Sequence, residues 1–215
     1  MEKTAVTENN LWTEEQRLWE NGYRTVCGAD EAGAGPLAGP VYAAAVILPP
    51  HAALPGLNDS KKLTAKKRDL LFDEICSIAR CYAVVSVSAQ EIDEIDILNA
   101  RIKAMDSAIK ALEIQPDMAL IDGNRDHGKR YAIEAPHELL IKGDSRSANI
   151  AAASILAKVS RDRYMEELAQ RYPQYGFEKH KGYGTKAHYQ ALDLYGPSPV
   201  HRRSFLKKWE HQHYE

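Results

Sequence analysis

The sequence predicts an α/β protein built on a mixed sheet flanked by helices. Three observations carry that prediction. Two strands come early, at Thr25–Ala29 and Val41–Leu48, helices and strands alternate after them, and Ala148–Arg171 forms one long Ala-rich helix. Such a succession builds one layered core, and 215 residues are enough to fill it.

Each element has its local reason. Leu11–Asn21 places Leu11, Trp12, Leu18 and Trp19 at helical spacing, opens with the capping-box pattern Thr13-Glu14-Glu15-Gln16, and stops at Gly22. Thr25–Ala29 is a short strand, and the Gly- and Pro-rich run Gly33–Pro40 is a loop. Val41–Leu48 is almost continuously apolar, as a central strand covered on both faces must be. Thr64 caps a helix reaching Ala79, with Leu70, Leu71, Ile75 and Ile78 as its buried stripe. Cys81–Ser88 reads as a third strand, and Ala89–Ile95 and Leu98–Glu113 as helices. Met118–Ile121 and His137–Ile141 are two further strands. After the long helix come a loop rich in Tyr, Gly and His, a short helix near Thr185–Leu194, and a basic end.

Composition narrows the class. A hydrophobic fraction of 44% beside 27% charged residues excludes a disordered tail or a collagen-like chain. Cys27, Cys76 and Cys81 form no CxxC pair and sit among apolar residues, so they read as buried thiols in a reducing compartment. The first 20 residues lack an apolar signal segment, and the run Val41–Pro50 is too short to span a bilayer. A cytoplasmic protein is expected. The net charge of −2 argues against a general, charge-driven coat for nucleic acid. It is unevenly spread, with 3 cations against 7 acids in residues 1–50, 12 against 15 in 51–140 and 13 against 8 in 141–215.

The acids at strand ends carry the chemistry. Asp30-Glu31 follows the first strand, Asp122 follows Met118–Ile121, and Asp144 lies between His137–Ile141 and the long helix. Catalytic sites of α/β sheets gather at such ends. Four carboxylates brought together repel one another unless a cation neutralises them, and hard oxygen donors select Mg²⁺ or Mn²⁺. Each acid alone is more often a solvated turn residue or helix cap than a ligand, and Asp144-Ser145 in particular suits a cap for the long helix; their joint placement puts the metal reading level with the bland one. Spacing does not decide between these readings.

The run Gly33-Ala34-Gly35-Pro36-Leu37-Ala38-Gly39 is neither a dinucleotide fingerprint nor a P-loop. Its glycines are GxGxxxG, Pro36 interrupts, a strand follows, and there is no GK[ST]. It is either a tight turn or a loop whose bare amides approach a ligand. Lys61, Lys62, Lys66, Lys67 and Arg68 put five positive charges within eight residues; such a run is ordinarily a solvated surface, though Ser60-Lys61 suits a phosphate. Toward the C-terminus, Tyr175-Gly176-Phe177, His180–Thr185 and His201–Phe205 interleave bases with aromatics, the pattern of stacking plus charge that holds nucleic acid.

These segments together resemble a known family. Gly28–Val41, Asn58–Leu63, Ile121–Asn124, Lys142–Ser145 leading into Ala153–Val159, Tyr175–Phe177, His180–Thr185 and His201–Phe205 resemble, in order, the signatures of bacterial ribonuclease HII, the type 2 ribonuclease H family. The likeness runs from about residue 22 to 206. It implies a ribonuclease H-like core with a helical C-terminal part, residues 1–21 being an N-terminal helical extension and 22–215 the catalytic domain. It implies endonucleolytic cleavage of RNA in RNA–DNA hybrids and at single ribonucleotides embedded in duplex DNA. The metal-binding carboxylates fall on Asp30, Glu31, Asp122 and Asp144, the acids already selected by their position. The loop whose backbone senses the ribose 2′-hydroxyl falls on Gly33, Ala34 and Gly35; the tyrosine at the RNA–DNA junction falls on Tyr183; Ser60 and Lys61 fall on phosphate contacts.

The expected mechanism is two-metal hydrolysis, one ion activating water and the other stabilising the leaving 3′-oxygen, to give 3′-hydroxyl and 5′-phosphate ends. The expected partners are hybrid and ribonucleotide-containing duplexes, with no membrane and no protein partner, the chain acting as a monomer. Ala34 stands where the family typically carries Arg, which predicts weakened substrate binding. The alternative reading is a catalytically impaired hybrid-binding protein.

Overall fold

The computed structural model describes residues 11–58, 60 and 63–214. A helix, α1 (Thr13–Glu20), precedes two antiparallel strands, β1 (Val26–Ala32) and β2 (Val41–Ile47). Then come α2 (Ala65–Ile78), β3 (Cys81–Val87), α3 (Ala89–Ile95), α4 (Ile97–Lys110), β4 (Met118–Asp122) and β5 (His137–Leu140). A 3₁₀ turn at Gly143–Ser145 leads into α5 (Ala148–Arg171), and the chain ends with α6 (Phe177–His180), α7 (Lys186–Tyr195) and α8 (Arg203–Tyr214).

The five strands lie in the order β3-β2-β1-β4-β5. β1, β2 and β3 pair antiparallel, whereas β1, β4 and β5 run parallel, so the sheet is mixed as expected. β2 is flanked on both sides and fully apolar apart from Tyr42, in keeping with its sequence. Residues Cys27, Ala29, Ala43 and Ala45 pack on α4 with Ile102, Met105 and Ile109. The alternate residues Ala44 and Val46 face α5 and, beyond it, Leu71 and Ile75 of α2. The alanines of α5 let it lie close to the sheet. A Cβ on Gly28 would come within 2.2 Å of the backbone of Asn149 and Ile150, so β1 and the start of α5 touch main chain to main chain.

Several expectations change. β1 runs through Asp30 and Glu31 instead of ending before them, because Asp30 to Ala32 still pair with β2. The capping box of α1 does not form: Trp12 sits at the N-cap and its side chain accepts no capping hydrogen bond, and both glutamates turn inward. Glu14 pairs with Arg17 and Arg146, while Glu15 accepts from Ser147 Oγ at 2.6 Å and Asn149 N at 3.0 Å. Glu15 thus caps α5, a distant helix, and burial raises its pKa. Leu18 of α1 is fully buried beside Val26, Leu120 and Ile150. On α2 Leu71 and Ile75 are buried, but Leu70 is 62% exposed because no second layer covers that side. The basic end is a helix, α8. Cys27 and Cys81 are buried thiols, and burial pushes Cys27 upward.

The C-terminal aromatics are mostly core. Tyr175, Phe177, Leu192, Leu206 and Trp209 pack together, and Tyr175 stacks on Phe177 at 5.3 Å between ring centres. His201 and Arg202 are buried as well. The alternation of bases and aromatics there builds a small folded layer, and of its tyrosines Tyr183, Tyr189 and Tyr195 stay exposed. Among the described residues no helix is long and apolar enough to cross a membrane.

Candidate active site

Parallel pairing brings two of the acids together. β1 and β4 pair with Ala29 opposite Ile121, so Asp30 and Asp122 each follow the last paired residue at the same end of the sheet. Alternation places both on the face covered by α5, since Gly28 of β1 meets α5 and Leu120 of β4 packs with Ile150. Asp144 enters the same face from the 3₁₀ turn before α5, whose actual N-cap is Ser147, accepting from Ile150 N at 3.1 Å. Glu31 falls on the other face and pairs with Arg101 of α4 at 2.5 Å.

The electrostatics follow from this crowding. Asp30 is held well above the ordinary carboxylate range, chiefly by burial and then by the charges of Glu31, Asp122 and Asp144. Its Oδ1 accepts from Glu31 N at 2.7 Å, a smaller opposing effect. Asp122 Oδ1 accepts from Gly143 N at 2.7 Å, which ties the end of β4 to the turn carrying Asp144. Among the described residues no three acid, histidine or cysteine side chains, as placed, form a metal-holding group. The donor set itself suits a hard divalent cation. Burial, and then the carboxylates of Glu31, Asp122 and Asp144, push Asp30 toward its neutral form, and a bound dication would relieve that repulsion.

A cleft of about 280 Å³ adjoins the acids. Asp30, Glu31, Gly33, Ala34, Gly35, Ser60 and Tyr183 line it, together with Ser154, Lys158 and Arg161 of α5. Gly33 has φ +95°, a left-handed turn that suits glycine, and Gly35 lies against the Tyr183 ring. Ser60 is buried and receives a hydrogen bond from Ser154 Oγ at 2.7 Å. Lys61 lies outside the described residues. The charges of Asp122 and Asp144 act on Asp30, but neither residue lines this cleft. A second cleft, between α2 and α5, shares Lys158; there Lys158, Arg163 and Lys181 pair with Asp162, Asp69 and Glu166, and Arg68 donates to the carbonyls of Ser60 and Leu63.

Sequence reasoning missed Arg101 and Arg161, which stand in helices with nothing local to distinguish them. Arg202 and Lys158 lie within matching segments, and that was the available signal.

Comparison with known proteins identifies the family. The family model described as Ribonuclease HII matches residues 27–208. The ribonuclease HII of Caldicellulosiruptor bescii is 52% identical over 200 residues, covering 93% of this chain and 95% of the relative. That of Caldicellulosiruptor saccharolyticus is 52% identical over 208 residues, covering 95% and 98%. The crystal structure of ribonuclease H2 from Pyrococcus horikoshii OT3 superposes with a TM-score of 0.73 at 29% identity, covering 88% of this chain and 98% of that one. The chain belongs to the ribonuclease HII family and is a ribonuclease H endonuclease.

Proposed function

We propose that the chain hydrolyses RNA within RNA–DNA hybrids and cuts duplex DNA at single embedded ribonucleotides, leaving 3′-hydroxyl and 5′-phosphate ends. The observation that carries this reading is the meeting of Asp30, Asp122 and Asp144 on one face of the sheet end, beside a cleft floored by Gly33–Gly35.

Asp30, Glu31, Asp122 and Asp144 would hold Mg²⁺ or Mn²⁺. Bound divalent ions supply an acidified water for attack on phosphorus and stabilise charge on the departing oxygen. The protein's own part is placement. Asp30 and Asp122 are fixed by the β1–β4 ladder, Asp144 by the Asp122–Gly143 bond, and Glu31 by Arg101, a pairing that Glu31 would share with a bound cation. The amides of the Gly33–Gly35 loop are set to read the ribose 2′-hydroxyl, the group that separates RNA from DNA. Tyr183, exposed at the cleft, offers a packing surface for the sugar at the RNA–DNA junction, and Lys158, paired with Asp162 at 2.6 Å, would share its charge with a flanking phosphate. No protein nucleophile is required, and the work takes place in the cytoplasm.

The test is a DNA duplex carrying one ribonucleotide, incubated with Mg²⁺ or Mn²⁺ beside an all-DNA control, with the cut mapped. Cleavage only on the 5′ side of the ribonucleotide is expected, and Asp122→Asn should abolish it while circular dichroism is unchanged. Turnover in that variant refutes the carboxylate assignment, and binding without cleavage by the unmodified protein identifies an impaired hybrid-binding protein instead.

A further inference from the structure

We propose that Arg161 and Arg202 are positioning residues for ribonucleotide recognition, a pair of buried guanidiniums that clamp the 33–40 loop by its carbonyls and so aim the amides of Ala34 and Gly35 into the cleft. The proposal rests on the reading of Gly33–Gly35 as the 2′-hydroxyl sensor.

Both side chains are fully buried, and among the described residues neither makes an ion pair. A buried charge without a counter-ion is costly unless every donor finds an acceptor. Here the acceptors are backbone. Arg202 donates from Nη2 to Gly33 O at 2.7 Å, from Nη1 to Ala34 O at 2.9 Å and from Nε to Gly39 O at 2.9 Å. Arg161 donates from Nε to Pro40 O at 3.0 Å, from Nη2 to Ala38 O at 3.2 Å and from Nη1 to Lys181 O at 3.0 Å.

The planar trans peptide turns these bonds into an orientation. The carbonyl and N–H of one peptide unit point to opposite sides. Arg202 draws the carbonyls of Gly33 and Ala34 to itself, so the N–H groups of Ala34 and Gly35 are directed away from it. Arg202 does not line the cleft, whereas Gly33, Ala34 and Gly35 do. Among the described residues neither of those two amides donates to a protein acceptor. Two donors are thereby set toward the cleft and left for a ligand.

Gly33 makes the clamp possible. A Cβ there would lie 2.0 Å from Arg161 Nε, so the guanidinium fills the space the missing side chain leaves. Arg161 also reaches Lys181 O, and Leu37 N donates to Gly182 O at 2.8 Å, which joins the loop to the segment bearing Tyr183. With alanine at position 34 the loop has no long side chain of its own, and its orientation comes from beneath. A lysine keeps the charge but cannot offer three donors in one rigid plane.

Arg202→Lys and Arg161→Lys test the proposal. Affinity is measured in Ca²⁺ for a duplex with one ribonucleotide and for the all-DNA duplex of the same sequence. The expected result is a preference for the ribonucleotide duplex that drops about tenfold, the worth of one well-placed hydrogen bond, with all-DNA affinity unchanged and the protein folded. An unchanged preference in both folded variants overturns the clamp. So does an equal weakening of both duplexes, which marks a structural role. If the unmodified protein does not distinguish the duplexes, the 2′-hydroxyl reading itself fails, a result separable from failure of the clamp. Should Arg202→Lys not fold, the same ratio measured on Arg161→Lys alone upholds or overturns the clamp.

Discussion

Replacing Gly28 with alanine should damage stability and activity together, through one contact. The added Cβ would sit 2.2 Å from Asn149 C and from Ile150 N, and 2.7 Å from Asn149 Cβ. Ordinary carbon contacts lie at about 3.5 to 4.0 Å, so the start of α5 has to retreat by more than an ångström. It is poorly placed to do so. Asn149 Oδ1 accepts from Leu48 N at 2.8 Å, Asn149 Nδ2 donates to Val26 O at 3.3 Å, and Asn149 N donates to Glu15. Overpacking costs roughly 1 to 3 kcal/mol, and with backbone on both sides the upper end applies. For a chain of this size about 3 kcal/mol lowers Tm by 6 to 12 °C. Asp144 enters just before α5 and Asp30 lies two residues from Gly28 on the same face, so the retreat also separates two carboxylates. Misplacement of about 1 Å costs on the order of 100-fold in rate. Thermal unfolding and initial rates on a single-ribonucleotide duplex are the measurements. Gly22→Ala is the control, because nothing lies within 4 Å of its Cβ and only its φ of +95° is strained. It should lose roughly 1 to 2 kcal/mol and keep its rate. A Gly28→Ala protein with unchanged Tm and rate refutes the reasoning.

Three further outcomes are expected. His188 and His201 meet Nε2 to Nε2 at 3.0 Å, and burial holds them neutral, at about 4 and about 3. Below pH 6.5 the unfolded chain takes up protons that the folded pair refuses, so stability is lost as pH falls toward 4; between pH 6 and 5 the loss is about 2 kcal/mol in urea titrations. An equal slope in the His188→Gln/His201→Gln double variant contradicts this. Ala34→Arg should lower KM with kcat little changed in steady-state cleavage, and a change confined to kcat opposes the weakened-binding account of that position. Glu15→Ala strips the acceptor from Ser147 Oγ and Asn149 N and should cost roughly 2 to 3 kcal/mol by urea denaturation, with Glu15→Gln recovering part of it. A loss below about 0.5 kcal/mol means that α5 does not need this remote cap.

The sequence alone determined whatever is written in local pattern. The apolar run of β2, the Ala-rich periodicity of α5 between Ala148 and Arg171, and the turn chemistry of Gly33 each depend on neighbours in the chain, and each was legible there. Asp30, Glu31, Asp122 and Asp144 were singled out there by position and by resemblance, and of these Asp30, Asp122 and Asp144 share one face at the end of the sheet. What the tertiary structure decided concerns partners far apart in sequence. Thr13–Gln16 reads as a capping box, yet Glu15 is spent on Ser147 and Asn149, because a buried helix end more than a hundred residues away needs an acceptor. Tyr175, Phe177 and Arg202 read as a nucleic-acid surface, yet they are buried, because aromatic and basic side chains look alike in sequence whether they face a phosphate or a row of carbonyls. Arg202 lies 169 residues from Gly33, and no local pattern reports a hydrogen bond over that separation. The parallel ladder between β1 and β4 likewise puts Asp30 beside Asp122 on one face and turns Glu31 toward Arg101 on the other. Strand alternation predicts opposite faces for Asp30 and Glu31, but only the packing of α4 and α5 says what each face meets.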